Sequence, residues 1–219
     1  MMKNSGFICL IIAVTGDLII PFLLAPFEPN YHHKTMVLSS LGNPSSSVHI
    51  IYNIWLTIAG ILLLIGAVKI GTVFHPMSKG LSMGIMACLM VFAVFSCIIS
   101  AIFPVGETKE LDNLSAKIHG IGAVIGFFLL IISSLLIGIL FLHMEHTLMG
   151  AIDIVSFVLA FICYIFLALA DKPQFSDTVI VWEGMWEHLC LLFSYIPILS
   201  LSLFALLCAK NYNFVASSI

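Results

Sequence analysis

Six apolar runs, each about twenty residues or longer, dominate this chain and leave it one environment in which to fold. They lie near 5–27, 48–70, 80–103, 117–142, 147–170 and 182–209, and each is long enough to cross a hydrocarbon core roughly 30 Å thick. With 61% of its 219 residues hydrophobic and only 9% charged, against about 25% charged in ordinary soluble domains, the chain lacks the polar surface to cover a water-soluble globule. The expected fold class is all-α: a polytopic membrane protein, built as a bundle of six transmembrane helices in a single integral membrane domain over 1–219. Eight lysines, no arginine and a formal charge of −3 supply no basic patch, so no nucleic acid is expected as a partner. Membrane lipids are the expected surroundings.

The connections 28–47, 71–79, 104–116, 143–146 and 171–181 alternate long and short. One face therefore carries every substantial loop, and an even number of spans puts both termini on the other. The lysines divide evenly: Lys3, Lys69, Lys79 and Lys210 on the short-loop face, Lys34, Lys109, Lys117 and Lys172 on the long-loop face. The acids do not. Glu28, Glu107, Glu110, Asp112, Asp171, Asp177, Glu183 and Glu187 fall on the long-loop side and only Glu145 opposite. Lysines uncompensated by acids on the short face predict both termini in the cytoplasm. The first run continues for about 22 residues without an A-x-A cleavage site, which predicts an uncleaved first span. All six cysteines sit in or beside apolar stretches, so no disulfide framework is expected.

Local signals mark the boundaries. Asn43-Pro44 reads as an N-cap and first helical position, and His75-Pro76 as a break. Asp112, Asn113 and Ser115 are candidate caps for the fourth span, and Ser176 or Asp177 for the sixth. Gly80/Gly84 and Gly122/Gly126 are small-xxx-small pairs, expected to serve packing within the bundle rather than a dimer face.

Polar groups inside the bilayer are costly unless offset by a partner or a function. Asp17, near the middle of the first span with Pro21 four residues on, is the sharpest. It reads equally as an ion, proton or ligand site and as a carboxyl bonded to a neighbouring helix. Asp153 is shallower and is expected to reach headgroup water and to play a structural part. His143 and His146, flanking Glu145, read as a solvated turn. On the long-loop face, His49 with Tyr52, Asn53 and Trp55, His119 below Asp112 and Ser115, and His188 with Trp186, Glu187 and Glu183 stand at similar depth on three helices. Three convergent imidazoles could hold zinc, and His/acid pairs suit acid–base work. Such residues also populate an interfacial belt. Ser39, Ser40 and Ser45–Ser47 lie in the first long loop without a nucleophile-elbow motif.

Three motifs carry a resemblance. Ser39-Ser40-Leu41-Gly42-Asn43-Pro44 followed by His49, Asn53 and Gly60; Phe103-Pro104 followed by His119-Gly120-Ile121-Gly122-Ala123 and Phe127; and Glu183-Gly184-Met185-Trp186-Glu187-His188-Leu189 stand in one order along the chain. Together they resemble a family of uncharacterised bacterial membrane proteins, domain of unknown function 998. In relatives the last motif is closer to G-L-W-Q-R, where this chain has Glu187-His188. The resemblance implies six helices and a bacterial inner-membrane location, and no reaction. There is also a looser architectural likeness to seven-helix membrane hydrolases of the ceramidase and progestin-receptor type, which gather Ser, His and Asp around zinc.

The first expectation is thus a pocket on the extracytoplasmic face, lined by Asp17, His49, Asn53, His119, Trp186, Glu187 and His188, that binds a lipid headgroup or small amphiphile. The alternative is a metal-dependent lipid hydrolase with His49, His119 and His188 on zinc and Glu187 or Asp112 as general base. A second alternative is a proton-coupled transporter using Asp17.

Overall fold

The computed structural model describes residues 5–104 and 114–215, with side chains to 207. Six of its helices are long and apolar enough to cross a membrane. Helix α1 (Ser5–Leu24) runs into a 3-10 turn, Ala25–Phe27. It is followed by α2 (His49–Val73), α3 (Lys79–Ile102), α4 (Leu114–His143), α5 (Thr147–Leu169) and α6 (Glu183–Val215). No strand occurs among the described residues. The crossing segments end within three residues of the expected spans. That agreement has a physical reason: in hydrocarbon each backbone N–H and C=O must be paired within its own segment, so apolar length alone dictates helix.

The helices close into a ring. α1 packs on α2 and α6, α2 on α3, α3 on α4, and α4 on both α5 and α6. α5 stands outermost, its substantial helix contacts made with α4 and α6. Lipid is as apolar as leucine, so close van der Waals approach and polar contacts hold such a bundle together. A side chain on Gly150 would stand 2.9 Å from the Gly138 carbonyl oxygen, and one on Gly138 3.2 Å from that of Gly150. α4 and α5 are therefore in backbone contact near the short-loop face. Gly122 and Gly126 lie against Phe95 and Ser96 of α3, so that pair does pack within the molecule. Gly84 meets Leu136, whereas Gly80 faces open space.

Several boundary residues act differently from expectation. Asn43 does not cap α2, which begins six residues later at His49. Its side chain accepts the Ser45 N–H and O–H at 2.9 and 2.8 Å, closing a turn of its own. Ser176 and Asp177 do not cap α6 either. Two 3-10 turns, Pro173–Phe175 and Val179–Val181, intervene before that helix starts at Glu183. Asp112 and Asn113 lie outside the described residues, and Ser115, in the first turn of α4, donates to the Pro104 carbonyl at 3.4 Å. The His143–His146 turn is exposed as expected, with Glu145 in the left-handed region (φ 64°).

Asp153 corrects a further expectation. Rather than reaching outward it is 0% exposed, and its two carboxylate oxygens accept from the Ser200 hydroxyl on α6 at 3.1 and 2.9 Å. An acid so enclosed ties α5 to α6, the role that buried polar contacts play between membrane helices.

Candidate functional site

The first long loop folds over the ends of α1, α2 and α6 and is tied down from end to end. Glu28 accepts the Ser47 N–H at 2.7 Å and its hydroxyl at 3.0 Å, and these bonds hold the Glu28 carboxyl below its usual range. The Asn53 amide donates to the Gly42 carbonyl at 3.0 Å. Near its middle, the Leu38 N–H donates to Glu187 Oε2 at 2.6 Å, and the Met185 N–H to the Lys34 carbonyl at 3.2 Å. The Lys34 ammonium sits 3.4 Å from the Trp182 ring centroid, a cation–π contact. Gly184 is what allows this seat: a Cβ there would run into the Met36 and His33 carbonyl oxygens.

Beneath the loop are two adjoining chambers that share part of their lining. The inner one, about 60 Å³, is lined among others by Asp17, Tyr52, Cys97, Ser100, His119 and Glu187. The outer one, about 270 Å³, lies between α4, α5, the start of α6 and the loop. Ser39, His119, Ala123, Phe127 and Glu187 line both. Where α4 and α5 touch at Gly138 and Gly150 there is no room, but toward the long loops they separate. The Tyr164 hydroxyl reaches across the gap to the Val124 carbonyl at 3.2 Å. Val124, among the residues that line the outer chamber, is itself 59% exposed.

At the floor, Asp17 Oδ2 accepts the Tyr195 hydroxyl at 2.5 Å. The carboxyl is bonded to a neighbouring helix, which is one of the two readings of Asp17, and it also borders the inner chamber. One wall is a π-helical stretch of α3, Ala93–Ile99, marked by the Ser100 hydroxyl donating to the Phe95 carbonyl five residues back at 3.1 Å. The wider turn places Ser96, Cys97 and Ser100 on the chamber. Such turns concentrate at functional sites. No residue in this stretch is one that sequence reading singled out for the site, because a π turn has no composition of its own.

Of the seven expected pocket residues, Asp17, His119 and Glu187 come together. The other four serve the surroundings. His49 Nδ1 lies 2.6 Å from the Ser46 carbonyl at the start of its own helix. Asn53 holds the loop, and Trp186 donates from Nε1 to the Val179 carbonyl at 3.1 Å while packing on Phe166. His188 pairs with His33, Nε2 to Nδ1, at 3.3 Å. The expected convergence of His49, His119 and His188 on zinc is not met. The His188 Nε2 faces the His33 Nδ1 rather than the other two imidazoles. No three His, Cys, Asp or Glu side chains among the described residues are grouped to hold a metal ion. Asp112 lies outside the described residues.

His33 is the residue sequence reading missed, for it sits in a loop with no periodicity to set its neighbours. It stacks on Phe22 with centroids 4.3 Å apart and meets the Tyr31 ring edge at 5.0 Å. Burial, and then the adjacent His188, hold its imidazole below the ordinary value of 6.5. The sign is therefore definite: the folded loop prefers neutral His33, so its seating is full above pH 6.5 and weakens as pH falls through the lowered value. Tryptic cleavage after Lys34, extrapolated for protease activity, should accelerate between pH 7 and 5, and His33→Gln should flatten that dependence. A flat wild-type profile would remove His33 from the anchoring.

No curated protein and no solved structure matches this chain. A family model does, described as "Protein of unknown function (DUF998)" and matching residues 8–205. Nearly the whole helical ring and both chambers fall inside that match, and the chain belongs to the DUF998 family.

Proposed function

We propose that this protein binds an amphiphile drawn sideways from the bilayer, its polar head against Ser39, His119 and Glu187 and its tail leaving past Val124 and Tyr164. The observation that carries this reading is an outer chamber lined by the exposed Val124 and by Tyr164 that shares Ser39, His119 and Glu187 with the inner one. A tail that stays among lipid tails gives up nothing on binding, while a head that leaves water needs polar replacements, which such a mixed lining supplies. In this reading the protein sits in a bacterial cytoplasmic membrane with both termini inside, and the chambers face the extracytoplasmic leaflet. The geometry adds no feature that favours the hydrolase or transporter alternatives, so binding alone is proposed.

The test is native mass spectrometry of the protein in mild detergent, beside Val124→Trp, which fills the mouth, and His119→Ala, which removes a head contact. Wild type should retain an amphiphile at near-unit stoichiometry. Each variant should retain at least tenfold less, the equivalent of about 1.4 kcal/mol, with the melting temperature of Val124→Trp unchanged. Equal retention in all three proteins would defeat the reading.

A further inference from the structure

Two imidazoles, His33 of the first loop and His188 of α6, face one another in a way that a simple hydrogen bond does not require. Their nearest nitrogens, His33 Nδ1 and His188 Nε2, are 3.3 Å apart, whereas a well-made N–H bond to its acceptor is about 2.9–3.0 Å long. The ring centroids are 5.2 Å apart, with the planes at 73°. A straight contact of 3.3 Å between ring nitrogens would set the centroids about 5.6 Å apart. The rings are therefore splayed off the line that joins the two nitrogens. Two imidazoles each about 2.0–2.1 Å from a tetrahedral ion hold their nitrogens about 3.3–3.4 Å apart and their centroids about 5.2 Å apart. Both observed spacings match that arrangement.

The surroundings suit an ion as well. The Gly184 carbonyl can only accept, so His188 Nδ1, 2.6 Å from it, carries the proton and leaves Nε2 a bare lone pair turned toward His33. Metal-bound histidines characteristically donate their second ring N–H to a carbonyl in this manner. Phe22 packs on both rings, stacked on His33 with centroids 4.3 Å apart and tilted on His188 at 5.1 Å, and so holds both in place. The two imidazoles are only half-buried, which leaves them within reach of an ion. Among the described residues no third His, Cys, Asp or Glu side chain joins them.

We propose that His33 and His188 form a two-imidazole site for a tetrahedral ion of the zinc class, with water in the remaining positions. Neutral imidazole suits such ions. Square-planar copper(II) would ask for adjacent nitrogens about 2.8 Å apart, and magnesium or calcium for oxygen ligands. The proton on His33 Nδ1 in the metal-free pair moves to Nε2 of the same ring, so binding releases no net proton, and each facing nitrogen gives its lone pair to the ion. An ion held there pins the first loop to α6 just ahead of Leu38 and Ser39, which line the inner chamber. The site does not depend on the amphiphile reading, and either can fail alone.

The test is calorimetric titration with zinc alone of the full chain in detergent, free of any added histidine tag, beside His33→Ala, His188→Ala and His49→Ala. The wild type should bind one zinc ion per chain. His33→Ala and His188→Ala should each weaken that binding at least tenfold. His49→Ala should leave it unchanged, since that imidazole faces the Ser46 carbonyl instead. Cobalt(II) in the same seat should show the intense visible absorption of a tetrahedral site, and magnesium should not compete. Because one ligand belongs to the loop, zinc should also slow tryptic cleavage after Lys34 at least threefold in the wild type and not in His33→Ala. Should His188→Ala fold poorly, His33→Ala, which lies in a loop, carries the comparison together with the cleavage rate. No saturable zinc binding, equal affinity in wild type and His33→Ala, or a loss in only one of two well-folded alanine variants at 33 and 188 would overturn the site.

Discussion

Gly184→Ala should release the first loop from the last helix. The added methyl meets two backbone carbonyl oxygens, of Met36 and His33, rather than the end of a flexible side chain. Neither can give way without moving the loop, and crowding of this kind costs about 1–3 kcal/mol. The loop bears Leu38 and Ser39 over the inner chamber, and its Leu38 N–H is held by Glu187. Displacing it should therefore lower the melting temperature, speed tryptic cleavage after Lys34 and weaken amphiphile retention together. Gly80→Ala is the control, because a Cβ there faces open space. Exchanging glycine for alanine near the start of an exposed helix should be neutral or stabilise by up to about 1 kcal/mol. If the two alanines behave alike, the loop does not rest on Gly184.

The second large effect is expected at the floor of the inner chamber. Tyr195→Phe removes a hydroxyl that donates to Asp17 at 2.5 Å and leaves a buried carboxyl oxygen at the floor of the inner chamber without that donor. The cost should be about 1–2 kcal/mol, at the upper end of interhelical hydrogen bonds in membranes. Asp17→Asn should cost less in the Tyr195→Phe background than in the wild type, since the bond is already gone. A double-mutant cycle on unfolding in mixed detergent micelles reads this directly. Strictly additive changes would show that the two side chains do not depend on one another.

The fold was legible because the bilayer enforces one rule on every segment. Spans could be placed to within three residues since apolar length, not pattern, dictates a crossing helix. The same rule hid the site. These helices are apolar around their whole circumference, so nothing in the sequence of α4 says that His119 turns inward while exposed Ile121 and Val124 do not. For His49, His119 and His188 the position along each helix is readable; rotation about each helix axis is not, and among the described residues no three His, Cys, Asp or Glu side chains are grouped to hold a metal. The acids fared better. Asp17 stands out by the cost of placing a carboxyl in hydrocarbon and Glu187 by its place beside His188 on the long-loop face, and both line the inner chamber. His33 and the Asp153–Ser200 contact depend on which helices become neighbours, a property of the folded ring rather than of any one segment.

The π turn in α3 has a consequence for how this site can vary. Each residue of an α-helix advances the chain by about 100°, so one residue more or fewer would ordinarily swing everything beyond it onto a different face. A wide turn absorbs that change locally. Residues before Ala93, among them Leu89 and Phe92 in the core, keep one register, while Ser96, Cys97 and Ser100 follow another. The helix thus behaves as two rods sharing an axis, with an adjustable coupling between them. A single-residue change of length within 93–99 would be taken up in that turn, at the cost of the contacts that Phe95 and Ser96 make with Gly122 and Gly126, while the residues before Ala93 keep their register.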